Sequence, residues 1–341
     1  MKNPLGGIAL DPELSEGARN AIGVCLRVKP EEKVTLITDE TSKQIAASLA
    51  HEITAAGSSF QAFLLEDLAL RPLRAMPQPV LDGLETCQVS IFAAQALQNE
   101  LHSRMQLTEV VNRRKLRHAH MVNINKQIMM EGMRADFLKV DEISRRVCDL
   151  ASSARTIHAT TAAGTDLRGE FNPHFRWLKT SGIISQEKWG NLPGGEVFTA
   201  PESVDGTLVV DGVVGDYLCS KFGNLRHTPL TLTMHHGRLQ EAHCQNRELE
   251  DEFWRYTHTD ENSDRVGEFA IGTNIALRQV IGHILQDEKL PGLHIAFGNP
   301  YGEHTGAQWY SSTHIDVVGT HFNIWMDDRQ IMTQGKFLQP L

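Results

Sequence analysis

Short apolar runs alternate with helix-spaced stretches through the first third of the chain. Residues 33–38 (Lys-Val-Thr-Leu-Ile-Thr), 60–65 (Phe-Gln-Ala-Phe-Leu-Leu), 87–93 and 120–124 are rich in β-branched and aromatic residues and predict strands. Residues 42–56, stopped by Gly57, and residues 101–114 predict helices, with a further helical turn at 80–84. Strands alternating with helices predict a parallel, doubly wound sheet, in which ligands favour the carboxyl ends of the strands. No Gly-x-Gly-x-x-Gly or P-loop string occurs, so the pattern offers no nucleotide site. A helix over 135–152 leads into a half of different texture. There, residues 156–160, 197–199, 206–211 and 231–234 are short strands punctuated by Gly and Pro, with helices expected over 248–256 and 275–285. The pattern predicts an α/β domain over residues 1–150 and an antiparallel-rich α+β domain over 151–341, without internal repeats.

A length of 341 residues suits two cores better than one. Hydrophobic content of 41% with 22% charged residues is ordinary globular composition. A formal charge of −9 argues against a nucleic-acid partner, which needs a basic face. No apolar run approaches the roughly 18 residues of a membrane span, so no membrane association is expected. The first 17 residues lack the apolar centre of a signal peptide. The five cysteines (Cys25, Cys87, Cys148, Cys219, Cys244) are scattered and unpaired in spacing, which fits reduced thiols and a cytoplasmic location.

Candidate chemistry concentrates in three segments of the second half: Asn-Leu-Pro-Gly-Gly-Glu196-Val-Phe-Thr-Ala-Pro, Val-Gly-Glu268-Phe-Ala-Ile-Gly-Thr-Asn, and residues 293–316. His314-Ile-Asp316 has period-two spacing, which on a strand points both side chains to one face. A second His-x-Asp pair, His258-Thr-Asp260, lies in a polar stretch that reads as a solvated loop. His294 sits in the apolar string Leu-His-Ile-Ala-Phe-Gly; taken alone, it reads more readily as a satisfied core residue. Glu268 and Glu196 are carboxylates in apolar strands. Burying them is costly unless they meet a cation, a metal or a helix dipole. Glu303 and His304 either belong to an ordinary polar loop or supply a proton-transfer group. Carboxylates and imidazoles together suit zinc, cobalt, manganese or iron, and one shared metal site explains these residues jointly.

The strings around Glu196, Glu268, His294 and His314, with Ala163-Gly-Thr-Asp-Leu167, resemble the aminopeptidase T family of thermophilic metallopeptidases. The likeness is clear over residues 156–335. It implies a two-metal hydrolase whose ligands are Glu196, Glu268, His294, Tyr301, His314 and Asp316. Zinc, cobalt or manganese would be the ions, Tyr301, Glu303 and His304 the candidate catalytic groups, a peptide or small amide the substrate, and a homodimer the assembly. The segment between His294 and His314 is shorter than the family pattern.

The same fold family resembles the ring-opening 2,5-dihydroxypyridine dioxygenases, which hold one Fe(II) on two histidines and a carboxylate. That resemblance places histidine at the position of Glu268 and an apolar residue at that of Glu196, whereas this chain has glutamate at both. The glutamates favour the hydrolase over the iron enzyme. A catalytically silent, metal-stabilised binding protein is a third reading. No Gly-x-Ser-x-Gly elbow or zincin motif supports nucleophilic or zincin chemistry.

Overall fold

The computed structural model describes residues 3–339 and residue 341; the first two residues of the N-terminal stretch read above lie outside the described residues. The chain forms two compact units, Met1–Leu138 with Gly182–Gly194, and Lys139–Ser181 with Gly195–Leu341. The fold is mixed α/β, and the described residues form one parallel sheet and two antiparallel sheets. Among the described residues, no helix is long and apolar enough to cross a membrane.

In the first unit, the strands run in the order Ser59–Leu64, Lys33–Thr38, Val89–Ala93, Arg117–His120, Gly190–Asn191, each pair parallel. Lys33–Thr38 is buried from its second residue onward, as a central parallel strand covered on both faces must be. The helix Lys43–Ala55 follows the expected stretch and ends before Gly57, which takes φ 77°. The last main strand comes earlier than the 120–124 run predicts, because Asn123 adopts φ 58° and turns the chain away.

The order reverses between Lys33–Thr38 and Val89–Ala93, and a ligand crevice is expected beyond their carboxyl ends. Here the chain fills that place itself. Asp39 accepts from the Gln95 N–H at 2.6 Å and from Arg71 Nη1 at 2.8 Å. The Arg71 side chain, only 6% exposed, also donates to both oxygens of Glu100, at 2.9 Å from Nε and 2.5 Å from Nη2. A bidentate guanidinium–carboxylate pair is among the stronger charge-assisted contacts.

In the second unit, an eight-stranded antiparallel sheet runs Arg238–His243, Leu230–His235, Ser203–Val210, Asp166–Glu170, Thr156–Thr160, Asn323–Met326, Arg329–Thr333, Lys336–Phe337. A five-stranded antiparallel sheet runs His314–Val318, Gly292–Gly298, Val266–Gly272, Glu196–Thr199, Leu178–Thr180. One apolar core joins them: Ile157, Leu167, Leu208 and Leu232 from the large sheet, and Val197, Phe269, Ile271, Ile295, Phe297, Ile315 and Val317 from the small one. The helix Phe137–Ser153 adds Val147 and Ala151 to this core, and Arg247–Tyr256, capped by the Asn246 side chain, adds Leu249 and Phe253.

One predicted element is absent. Residues 275–285 were expected to be helical, but only Ile284–Asp287 makes a turn of helix. The Asp287 carboxylate accepts from the backbone N–H groups of Ile281, Gly282 and His283 at 2.8–2.9 Å, which holds the preceding segment as a loop. Gly282, at φ 80°, breaks any helix there.

Arg71→Met would leave Asp39 and Glu100 buried without their cation. We expect a loss of about 3–5 kcal/mol in stability, measured as a lowered urea midpoint. Burial opposes the charge of Glu100, yet Arg71 holds its carboxyl below the ordinary 4.5. This contribution to stability is therefore complete above pH 4.5 and lost as the pH falls through the lowered folded value.

Candidate metal centre

The five-stranded sheet has one apolar face and one chemical face, and strand alternation explains both. Phe269, Ile271, Ile295, Phe297, Ile315 and Val317 point into the core. Glu268 is paired across the sheet with Ala296, which is paired with Asp316. His294 pairs with Ala270, His314 with Gly298 and Glu196 with Gly272. Glu196, Glu268, His294, His314 and Asp316 consequently share the face opposite the core. The residues interleaved with them (Ala270, Ala296, Gly272, Gly298) are small, so the long polar side chains have room to converge above the sheet.

They do converge. His294 Nε2 lies 3.4 Å from Glu268 Oε1 and 3.6 Å from Glu196 Oε2. His314 Nε2 lies 3.4 Å from Asp316 Oδ1 and 3.8 Å from Glu268 Oε2. Ligand-type atoms within 4.8 Å of one another form the trios Glu196–Glu268–His294, Glu268–His314–Asp316 and Glu288–His294–Asp316. Glu268 belongs to the first two. A further trio, Asp205–His235–His236, is more exposed, and Asp205 already accepts hydrogen bonds from the His235 ring and the His236 N–H.

Among the described residues, the buried ring nitrogen His294 Nε2 makes no well-aligned hydrogen bond, its nearest carboxylate oxygen being Glu268 Oε1 at 3.4 Å. His314 Nδ1 donates to the Asn299 carbonyl at 3.1 Å, which directs Nε2 at the carboxylates, the usual orienting contact of a metal-binding imidazole. Burial works against a charged His314, but Asp316 and Glu268 outweigh it and raise its pKa to about 10. Burial likewise opposes the charge on Asp316, and His314 overcomes it to hold that carboxyl at about 2. His294 is also raised, against its burial, by Glu268 and Glu196. Protonated imidazoles here balance carboxylates, as a divalent cation would. The poorly satisfied His294 nitrogen and the oxygen–imidazole donor set fit a metal ion.

Two neighbours were not visible in the sequence. Gln-Asp-Glu288-Lys289 reads as a polar surface turn, yet Gln286, Asp287 and Lys289 are at most 1% exposed. Burial, together with Glu196 and Asp316, pushes the Glu288 carboxyl up to about 8, with Lys289 opposing. Lys289 Nζ contacts Glu196 Oε2 at 2.7 Å and Glu288 Oε1 at 2.5 Å. Thr180, cross-strand from Glu196, donates to its Oε1 at 2.7 Å. The signal that could have exposed this turn is Gly272: a Cβ there would lie 1.9 Å from the Leu290 carbonyl oxygen. Its strand position demands close passage of another backbone.

Tyr301 starts the short helix Gly302–Thr305 in the left-handed region, at φ 49°. Its ring lies 4.6 Å from that of His314 and 6.2 Å from that of Phe198. The whole residue is 42% exposed, but desolvation of its phenol oxygen, then Glu268 and Asp316, pushes its pKa well above the ordinary value. Glu303 and His304 are exposed and belong to none of these trios; their carbonyls accept from the Arg176 guanidinium. Asp260, the carboxylate of the second His-x-Asp pair, is structural. It accepts from the hydroxyls of Ser311 and Ser312 and the Ser312 N–H, which anchors the segment leading to His314.

The profile of the thermophilic metalloprotease (M29) family matches residues 138–323, more than half of the chain. The chain belongs to this family. Over 221 residues it is 25% identical to the 2,5-dihydroxypyridine 5,6-dioxygenase of Pseudomonas putida, spanning 60% of this chain and 61% of that protein. Two solved structures share the fold almost end to end. The 2,5-dihydroxypyridine dioxygenase of Pseudomonas putida KT2440 superposes with a TM-score of 0.69 at 15% identity, covering 96% of this chain and 97% of that one. The wild-type AmpT of Thermus thermophilus superposes with a TM-score of 0.69 at 19% identity, covering 97% and 100%. That family is described as one of metalloproteases, and the chain spans less than two thirds of the curated relative it matches.

Gly272→Ala is expected to push the 288–290 turn off the sheet. We expect a destabilisation of about 1–3 kcal/mol, from overpacking against backbone, seen as a lowered Tm. An unchanged Tm would mean that the turn is free to move.

Proposed function

We propose that the chain removes an N-terminal residue from a peptide, or hydrolyses a small amide, at a metal centre built on Glu268, His314 and Asp316, with Glu196, His294 and Tyr301 beside them. The observation that carries this reading is how the two histidines are distributed. His314 groups with Glu268 and Asp316, and His294 with Glu196 and Glu268 or with Glu288 and Asp316. Glu268, the position where the dioxygenase resemblance has histidine, makes the His314 trio two carboxylates and one imidazole, not the two histidines and one carboxylate of an iron site. The donor set is dominated by carboxylates, which suits a hydrolytic Lewis acid such as zinc, cobalt or manganese.

A divalent ion bound here supplies Lewis acidity toward a carbonyl and a more acidic water. The protein's own groups carry the rest. The carboxylates of Glu196, Glu268 and Asp316 offer charge-assisted acceptors to a substrate's α-ammonium, while the Lys289 ammonium is held by Glu196 and Glu288. Glu288 changes protonation near neutral pH: as the carboxylate it accepts a proton from the attacking water, and as the acid so formed it returns that proton to the leaving amine. A nearby cation lowers this proton affinity and shifts the group toward the base role. The protonated Tyr301 phenol is a donor for the developing oxyanion. Phe198, edge-on to Tyr301, forms an apolar wall for the substrate side chain.

The 25% identity to the Pseudomonas putida dioxygenase favours a second reading, ring cleavage of a dihydroxylated aromatic at a single Fe(II). The two readings separate in one experiment. Protein loaded with zinc, cobalt or manganese is assayed on aminoacyl-p-nitroanilides, and protein loaded anaerobically with Fe(II) on 2,5-dihydroxypyridine with oxygen. Hydrolysis in the first assay and no oxygen uptake in the second is the expected result; the reverse would replace the hydrolase reading.

Glu288→Gln is expected to lower kcat by about 10²–10⁴-fold while metal content stays unchanged, the usual range for losing a proton-transfer group. Glu268→Gln is expected to abolish turnover in a protein that still folds, checked by circular dichroism alongside the assay.

A further inference from the structure

The centre contains a cation of its own. Lys289 is 1% exposed, and its ammonium is pinned between Glu196 Oε2 at 2.7 Å and Glu288 Oε1 at 2.5 Å. Its backbone is equally fixed: its N–H donates to the Gln286 carbonyl at 2.9 Å, and its carbonyl accepts from the Asn274 N–H at 3.0 Å. The close approach over Gly272 sets the turn directly above the strand register that carries Glu196. Glu196 in turn has both oxygens engaged, Oε1 by the Thr180 hydroxyl and Oε2 by Lys289. The two trios that share Glu268 lay out two cation positions. The one that needs Glu196 is the one Lys289 touches, whereas among the described residues the ion pairs within Glu268–His314–Asp316 are made by the His314 imidazole.

Given the metal-dependent reading above, we propose that Lys289 is the resident cation of the Glu196 position, so that the chain binds one divalent ion, on Glu268, His314 and Asp316. Buried carboxylates need positive charge, and either a lysine or a metal provides it. A fixed ammonium that already neutralises Glu196 repels a second divalent ion at short range and takes away its ligand. The expectation of a metal pair, drawn from the family resemblance, gives way to one metal ion and one lysine.

The test is a zinc count. Protein equilibrated with excess Zn²⁺ and desalted is analysed by inductively coupled plasma mass spectrometry, with the affinity from isothermal titration. Wild type is expected to hold one zinc per chain, Lys289→Arg one, and Lys289→Met two. Adding Glu196→Gln to Lys289→Met should return the count to one. Two zinc ions in the wild type, or one in Lys289→Met, would overturn the proposal and leave the metal-dependent reading standing. No zinc in folded wild type would overturn that reading itself. Glu196→Gln in the otherwise native chain keeps the test decisive should Lys289→Met fail to fold. A zinc affinity within threefold of wild type supports the proposal, and any larger loss overturns it.

Discussion

Four carboxylates gathered on one side of a small sheet create a concentration of negative charge that the fold must offset. Separately, each would be an expensive burial. Together they are tolerable only with positive charge among them, and each feature around the centre answers that requirement. The imidazoles of His294 and His314 hold protons more tightly than usual, and Lys289 is buried to serve as a counter-ion. A divalent ion would take over part of that role from the protonated imidazoles, and the oxygen and imidazole donors it needs are already gathered.

The antiparallel sheet is what makes such a gathering precise. Residues paired across neighbouring strands point the same way, so Glu268 and Asp316 stand in one row with Ala296 between them. Small residues between large ligands leave space above the sheet, while Phe269, Ile295 and Ile315 hold the other face in the core. Sites on rigid strands keep their geometry better than sites on loops. The two parts that come from loops are both tied down. Asp260 grips the serines before His314, and Asp287 gathers the N–H groups ahead of Glu288.

Much of this was legible along the chain because its signals are local. Runs such as 33–38 and 156–160 became strands, and 101–114 became a helix, since alternation, helical spacing and stop residues act within a few positions. His314-Ile-Asp316 was readable as a ligand pair because period-two spacing is itself geometry. Where a signal had to compete with a distant contact, it failed. Residues 275–285 have helical composition, but Asp287 offers their N–H groups a better partner.

By itself, the sequence determined many of the strands and helices, the alternation that gives the site its polar face, and the family to which the chain belongs. Only the tertiary structure decided which charged residues are buried together. Glu288 and Lys289 look like a solvated turn in one dimension, because burial of a charge depends on partners far away in sequence. Glu196 lies 93 positions from Lys289, and their contact exists because Gly272 lets one backbone descend onto another. The return of residues 182–194 to the first unit is of the same kind. Chain pattern encodes which face a side chain takes; the number of cations that face must share is a property of the assembled fold.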